Sequence, residues 1–200
     1  MKKLLALFLV MGGLSLNAQD ASKVFSSTEM TFFGVDFTKA KFVAATETGS
    51  ELKFKHIPAI NTLIVTEQGK GFNLKMAFQK DVINYDINSV NELNGKIDAD
   101  KLTSFNAGKV EKSELDAMVK NYTSEKKDGL GLVFIVENFD KGAQMGTVWV
   151  TFFDIATRKI LLAEKLGGKP MGIGTRNYWA GSIKAILKQI TETEYRSWKK

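Results

Sequence analysis

Read for apolar and polar positions alone, the chain is an apolar N-terminal run followed by shorter, patterned segments. Leu4 to Leu16 is almost unbroken in its apolar character. Met30 to Phe37 crowds aromatic and apolar residues together and predicts a buried strand, which Lys41 to Ala45 extends or bends. Residues 46–52 read as loop, with Gly49-Ser50 as punctuation. After Pro58, Ile60, Leu63 and Ile64 recur at helical spacing, predicting a helix over about 57–68 that ends near Gly69. In residues 72–79 Phe72, Leu74, Met76 and Phe78 alternate, while Leu74 and Phe78 also share a helical face, so either state fits. Val82 to Val90 alternates through Tyr85 and Ile87 as a strand does.

The second half is more sharply patterned. Ser113 with Asp116 three residues on approximates a capping box, and Leu115, Met118 and Val119 supply the stripe of a short helix to about Tyr122. Asp128-Gly129 then marks a loop exit. Leu130 to Glu137 carries Leu132, Phe134 and Val136 on one face and Val133 and Ile135 on the other, the pattern of a central strand covered on both sides. Thr147 to Asp154 and Lys159 to Lys165 read as a hairpin joined near Ala156-Thr157. Trp179, Ile183, Ile186, Leu187 and Ile190 stripe a closing helix from about Thr175 to Thr191, with Lys184, Lys188 and Glu192 opposite. This alternation predicts an α/β sandwich, a mixed sheet with helices packed against it. No repeat or linker interrupts it, so residues 19–200 form one expected domain.

The N-terminus changes the picture by adding a destination. Met1-Lys2-Lys3, the apolar run and Asn17-Ala18-Gln19 match a cleavable signal peptide over residues 1–18, with Gln19 as the mature N-terminus. The run has 13 residues, from Leu4 to Leu16, short of the roughly 20 needed to span a bilayer. No later stretch is apolar enough to cross one, so the expected location is the periplasm or the extracellular space. Cleavage leaves 26 basic against 22 acidic residues, a net charge of +4. Those charges are interspersed, as in Glu111-Lys112-Ser113-Glu114, without the gathered basic face of a nucleic-acid binder. The absence of cysteine excludes disulfides, thiol chemistry and Cys-based zinc sites.

Candidate chemistry is sparse. His56 is the single histidine, and no serine sits in a nucleophile-elbow context to partner it. Asp98-Ala-Asp100 lacks the glycine and distal Glu of a calcium loop. Asp36 and Asp154 both end strands, and an exported hydrolase could use such a carboxylate pair if the strands are neighbours. The segment Gly167 to Trp179 places four glycines ahead of a helix N-terminus, where free N–H groups favour an anion. Lys169, Gly172, Gly174 and Arg176 are the ligand-binding candidates there. Ile173 breaks the P-loop pattern and Asn177 the dinucleotide fingerprint. A steric use of the glycines, with Thr175 capping the helix and Tyr178 and Trp179 packed on the sheet, accounts for the same residues.

The Leu130–Lys165 strand triplet, followed by the Gly-rich loop and final helix, resembles the mixed-sheet domains of bacterial envelope proteins. The TolB N-terminal domain, the curli-secretion protein CsgG and the penicillin-binding-protein activator LpoB are of that kind. This chain lacks the cysteine through which CsgG and LpoB are lipid-anchored. The run Val148-Trp149-Val150-Thr151-Phe152-Phe153-Asp154, with Gly172 to Trp179, resembles small secreted proteins of Gram-negative bacteria over about residues 145–190. That resemblance implies no activity. The expectation is therefore a non-catalytic binding or interaction module of the envelope or periplasm. Its partner would be an envelope protein or small ligand, with no cofactor, no metal and no nucleic acid. The alternatives are the strand-end hydrolase and a small-anion binder at the Gly167–Trp179 loop.

Overall fold

The computed structural model describes residues 15–69 and 71–200, the first six as backbone alone. In chain order these form α1 (Ser15–Ser26), β1 (Glu29–Asp36), β2 (Lys41–Val43), α2 (Gly49–Glu51), a π-helical turn (Leu52–His56) and α3 (Ile57–Thr66). Next come α4 (Leu74–Phe78), β3 (Val82–Tyr85), α5 (Asn88–Gly95), a 3-10 turn (Ala99–Lys101), β4 (Thr103–Ser104) and α6 (Lys112–Val119). The chain closes with β5 (Leu130–Asp140), β6 (Met145–Asp154), β7 (Ile160–Gly168), α7 (Thr175–Gln189), a second π-helical turn (Ile190–Glu194) and α8 (Tyr195–Ser197). Of the expected signal segment, residues 1–14 lie outside the described residues, and 15–18 contribute backbone to the start of α1.

The sheet is built around β5. Along one edge, β1 pairs in parallel with its first half (Thr31 opposite Gly131, Asp36 opposite Ile135), and β2 pairs with its far end (Lys41 opposite Asn138). β3 adds outside β1 and β4 outside β2, also parallel. Along the other edge β6 and then β7 add antiparallel. The fold is thus α/β, with five parallel strands in a seven-stranded sheet. All but the last residue of β5 are buried, as its two-sided apolar pattern requires. Leu132, Phe134 and Val136 join the core that includes Ile60 and Ile64 of α3, Phe78 of α4, and Trp179 and Ile183 of α7. Val133 and Ile135 join a second core containing Val90 of α5 and Leu115 and Val119 of α6. Helices therefore cover both faces.

The carboxyl end of β1 is irregular in a way that matters later. Its register on β5 shifts between Phe32 and Val35, and Gly34 takes φ +100°, a region L side chains rarely adopt. Two buried asparagines serve the backbone beyond the shift. Asn61 accepts from Val35 N (2.7 Å) and donates to Val35 O (3.0 Å). Asn94 donates to the same oxygen (2.9 Å) and accepts from Phe37 N (2.8 Å).

Several boundaries differ from the sequence expectation, each for a local reason. The helix expected from 57 begins at Gly49, because Thr48 and Glu51 form a capping box inside the expected loop. The strand expected to reach Val90 stops at Tyr85, and Val90 becomes the buried apolar position of α5. The ambiguous 72–79 segment is helical, with the Asn73 side chain accepting from Met76 N (3.0 Å) as its cap. The box that opens α6 is Glu111 with Glu114 rather than Ser113 with Asp116. Gly167 and Gly168 are the last residues of β7, so the loop proper starts at Lys169.

Candidate functional site

Beyond Asp36 the chain leaves β1, crosses through Thr38 to Ala40 and re-enters the sheet as β2 on the same edge of β5. In open α/β sheets the crevice outside the carboxyl ends of parallel strands, where the strand order breaks, is the usual place for a ligand. Here that crevice is a cleft of about 660 Å³. Its walls come from the β1–β2 link, the end of α5 with the segment after it, the 108–109 stretch, and α6 with Asn121 just beyond it. Leu93, Ile97, Leu102 and Met118 give it an apolar floor.

Five lysines line the cleft, Lys39, Lys41, Lys96, Lys101 and Lys109, against the acids Asp36, Asp98 and Glu114. Most of the ammonium groups stand in water. Lys39 reaches Glu114 (3.4 Å), Lys101 reaches Asp98 (3.3 Å) and Lys109 reaches Glu111 (2.6 Å), with the lysine side chains 53%, 77% and 74% exposed. Glu111 holds the Lys109 ammonium above its ordinary pKa through a hydrogen bond and its charge. Exposed pairs of this kind are weak, about 0–1 kcal/mol, and are readily exchanged for another anion. Lys41 donates to Lys101 O (2.5 Å), and Lys96 is exposed with no ion pair among the described residues. Sequence reading found these lysines scattered among acids. The fold gathers them because the β1–β2 link and the approach to β4 lie side by side.

Asp36 is the inner acid of the cleft and only 1% exposed. Its two oxygens accept from Thr38 N (2.7 Å) and the Tyr122 hydroxyl (2.6 Å). Burial, with the Asp36 charge and hydrogen bond, drives the Tyr122 phenol well above its ordinary pKa, so it stays a donor. The expected partner acid, Asp154, is elsewhere. Asp36 lies opposite Ile135 on β5 and Asp154 opposite Leu130, on strands flanking β5 from different sides. Asp154 pairs with Lys23 and accepts from Thr157 N (2.9 Å), tying α1 and a turn to the sheet. Burial raises its pKa, and the Lys23 and Thr157 hydrogen bonds outweigh that and hold it low. The two strand-end acids therefore do not converge, and His56 joins neither, lying in the π-helical turn before α3. Asp98 accepts from Asp100 N (3.2 Å) within its own turn. Among the described residues no group of three or more His, Asp or Glu side chains is placed to hold a metal ion.

The Gly-rich loop gathers only part of the expected set. Gly172 and Gly174, with φ of +134° and +79°, border a hollow of about 250 Å³ with Glu47, Lys141 and Thr175. Lys169 and Arg176 do not line it. Arg176 is exposed, its Nε donating to Asn177 Oδ1 (3.0 Å), with no acid partner among the described residues. Gly174, rather than Thr175, is the N-cap of α7. The Thr175 hydroxyl instead donates to Glu47, so the chain's own carboxylate stands at that end of the helix. Burial raises the Glu47 pKa, but the Thr175 hydroxyl, a backbone N–H and Lys141 more than offset it. Close packing explains two neighbouring glycines: a Cβ on Gly168 would lie 2.1 Å from Ser182 O, and one on Gly181 2.1 Å from Met171 O. Trp179 is buried as expected and stacks on Phe139 at 4.8 Å.

Among the described residues no helix is long and apolar enough to cross a membrane. Comparison of the chain with family models, with curated proteins and with solved structures finds no match.

Proposed function

We propose that this protein is an exported, non-catalytic binding module of the envelope or periplasm that receives a small anionic ligand in the cleft beside the carboxyl end of β1. The observation that carries the reading is the gathering of five lysines around one cleft with three acids. A concave site in which cations outnumber acids, here five to three, focuses a net positive potential and concentrates anions, and about 660 Å³ is an ordinary size for a small-molecule site. The envelope destination rests on the export pattern of residues 1–18 and on the resemblance to secreted and envelope domains. The Gly167–Trp179 loop is the second candidate, favoured by Arg176, which has no acid partner among the described residues, but Glu47 already stands at its helix terminus.

The test is an amide NMR titration of the mature protein with inorganic phosphate and with pyrophosphate at low salt. Shifts should concentrate in residues 36–41, 93–102 and 108–114, and the double variant Lys96→Glu/Lys101→Glu should weaken binding about tenfold or more. Shifts confined to residues 169–179 would transfer the site to the loop. Shifts at neither place would end the anion reading.

A further inference from the structure

The cleft is not uniformly positive, and its polarity points to the second half of the ligand. We infer that the ligand is a small zwitterion, carrying a primary ammonium group received by Asp36 and a phosphate or carboxylate received by the lysines at the rim; this rests on the anion-binding reading above. Asp36 is 1% exposed yet forms no ion pair among the described residues. An ionised carboxylate out of water normally has a cation beside it, since burying a lone charge is costly. Its present donors are both neutral, the Thr38 amide and the Tyr122 hydroxyl. A carboxylate offers about four acceptor positions, so two remain open for a charged donor.

None of the five cleft lysines fills them. Lys39, Lys101 and Lys109 turn to Glu114, Asp98 and Glu111, and Lys41 turns to a carbonyl. The cleft is thus lined by a buried carboxylate with no cation paired to it among the described residues and by lysines that stand largely exposed, together with apolar residues. A ligand whose ammonium points inward and whose anionic group points outward satisfies both ends. A simple anion satisfies only the rim and leaves Asp36 repelling it.

Two matched pairs of probes separate the ends: phosphoethanolamine against ethyl phosphate, and β-alanine against propionate. Each is titrated into the mature protein by NMR at constant ionic strength. Wild type should bind at least one ammonium-bearing probe about tenfold tighter than its partner, with shifts at residues 36–38 and 121–122. The pair with the larger difference identifies the anionic group. Asp36→Asn retains an oxygen for the Thr38 or Tyr122 donor and should abolish the preference, with ethyl phosphate binding at least as tightly as to wild type because the repelling charge is gone. Tyr122→Phe, which removes a neutral donor and keeps the acid, should retain the preference. Equal binding within both pairs, with shifts still in the cleft, overturns the zwitterion and leaves the anion reading standing. No cleft shift with any probe overturns both. A preference that survives Asp36→Asn removes Asp36 from the site.

Discussion

Asn61 and Asn94 do for the end of β1 what a neighbouring strand does elsewhere. After the register shift at Gly34, the side chains of Asn61 and Asn94 bond the backbone of Val35 and Phe37. Removing Asn61 takes the partner from Val35 N and removing Asn94 takes it from Phe37 N, while Val35 O keeps the other asparagine; an orphaned buried donor costs about 1–3 kcal/mol. Asn61→Ala and Asn94→Ala should therefore each lower the urea midpoint, and amide exchange should quicken at residues 35–37 before it does in β6. Lys80 is a second residue whose environment decides its behaviour. It is 4% exposed and donates to Val24 O (2.5 Å) and Ser27 O (2.6 Å) at the end of α1. Burial, reinforced by the Lys199 charge against a smaller opposing effect of Asp81, pushes its pKa down to about 8. Between pH 8 and the ordinary lysine value near 10.5 the unfolded chain holds a proton that folded Lys80 has shed, so this residue makes stability rise with pH. Burial raises Tyr85 and Tyr195 to about 12, so above pH 10 the unfolded state sheds protons first and stability falls. Urea midpoints of wild type and Lys80→Met at pH 7, 9.5 and 11 check this. The variant should gain less than wild type between 7 and 9.5, and both should lose stability by 11.

At the scale of elements, α7 shows what sequence periodicity captures and what it omits. Its buried stripe of Trp179, Ile183, Ile186 and Leu187 matches the helical spacing, with Lys184 and Lys188 exposed on the other side. Trp179→Ala and Ile183→Ala should each cost about 2–5 kcal/mol, whereas Lys184→Ala and Lys188→Ala should change stability by less than about 0.5 kcal/mol. Equal losses on the two faces in urea melts would contradict this packing. Periodicity omits how closely α7 lies on β7. Gly168→Ala would force a Cβ to 2.1 Å from the Ser182 carbonyl, so it should destabilise by about 1–3 kcal/mol or more, as overpacking does. Gly174 has open space around it, and its φ of +79° with ψ of 150° falls in a region that only glycine readily adopts, so Gly174→Ala should cost about 1–3 kcal/mol through backbone strain alone. Short elements were least legible for a related reason. α5 has one fully buried apolar residue, Val90, among polar neighbours, and β4 has two residues. α5 has too few buried apolar residues, and β4 too few residues, for a period to show, and both take their state from what packs against them.

For the whole molecule, the export reading predicts that protein recovered from the native envelope fraction begins at Gln19; an intact mass that retains residues 1–18 would refute it. The sequence alone determined the α/β class, because the two-sided apolar run of β5 demands cover on both faces and the stripe of α7 supplies part of it. It also determined the hairpin of β6 and β7, whose partners are adjacent in the chain. Asp36 was legible as a strand-end acid. Its separation from Asp154 was not, because that depends on which edge of β5 each strand occupies. The lysines of the cleft were invisible as a group for the same reason. Lys39 and Lys101 are 62 positions apart, and no local pattern links them. Only the parallel pairing of β2 with β4, a long-range backbone contact that no local spacing encodes, brings their segments together.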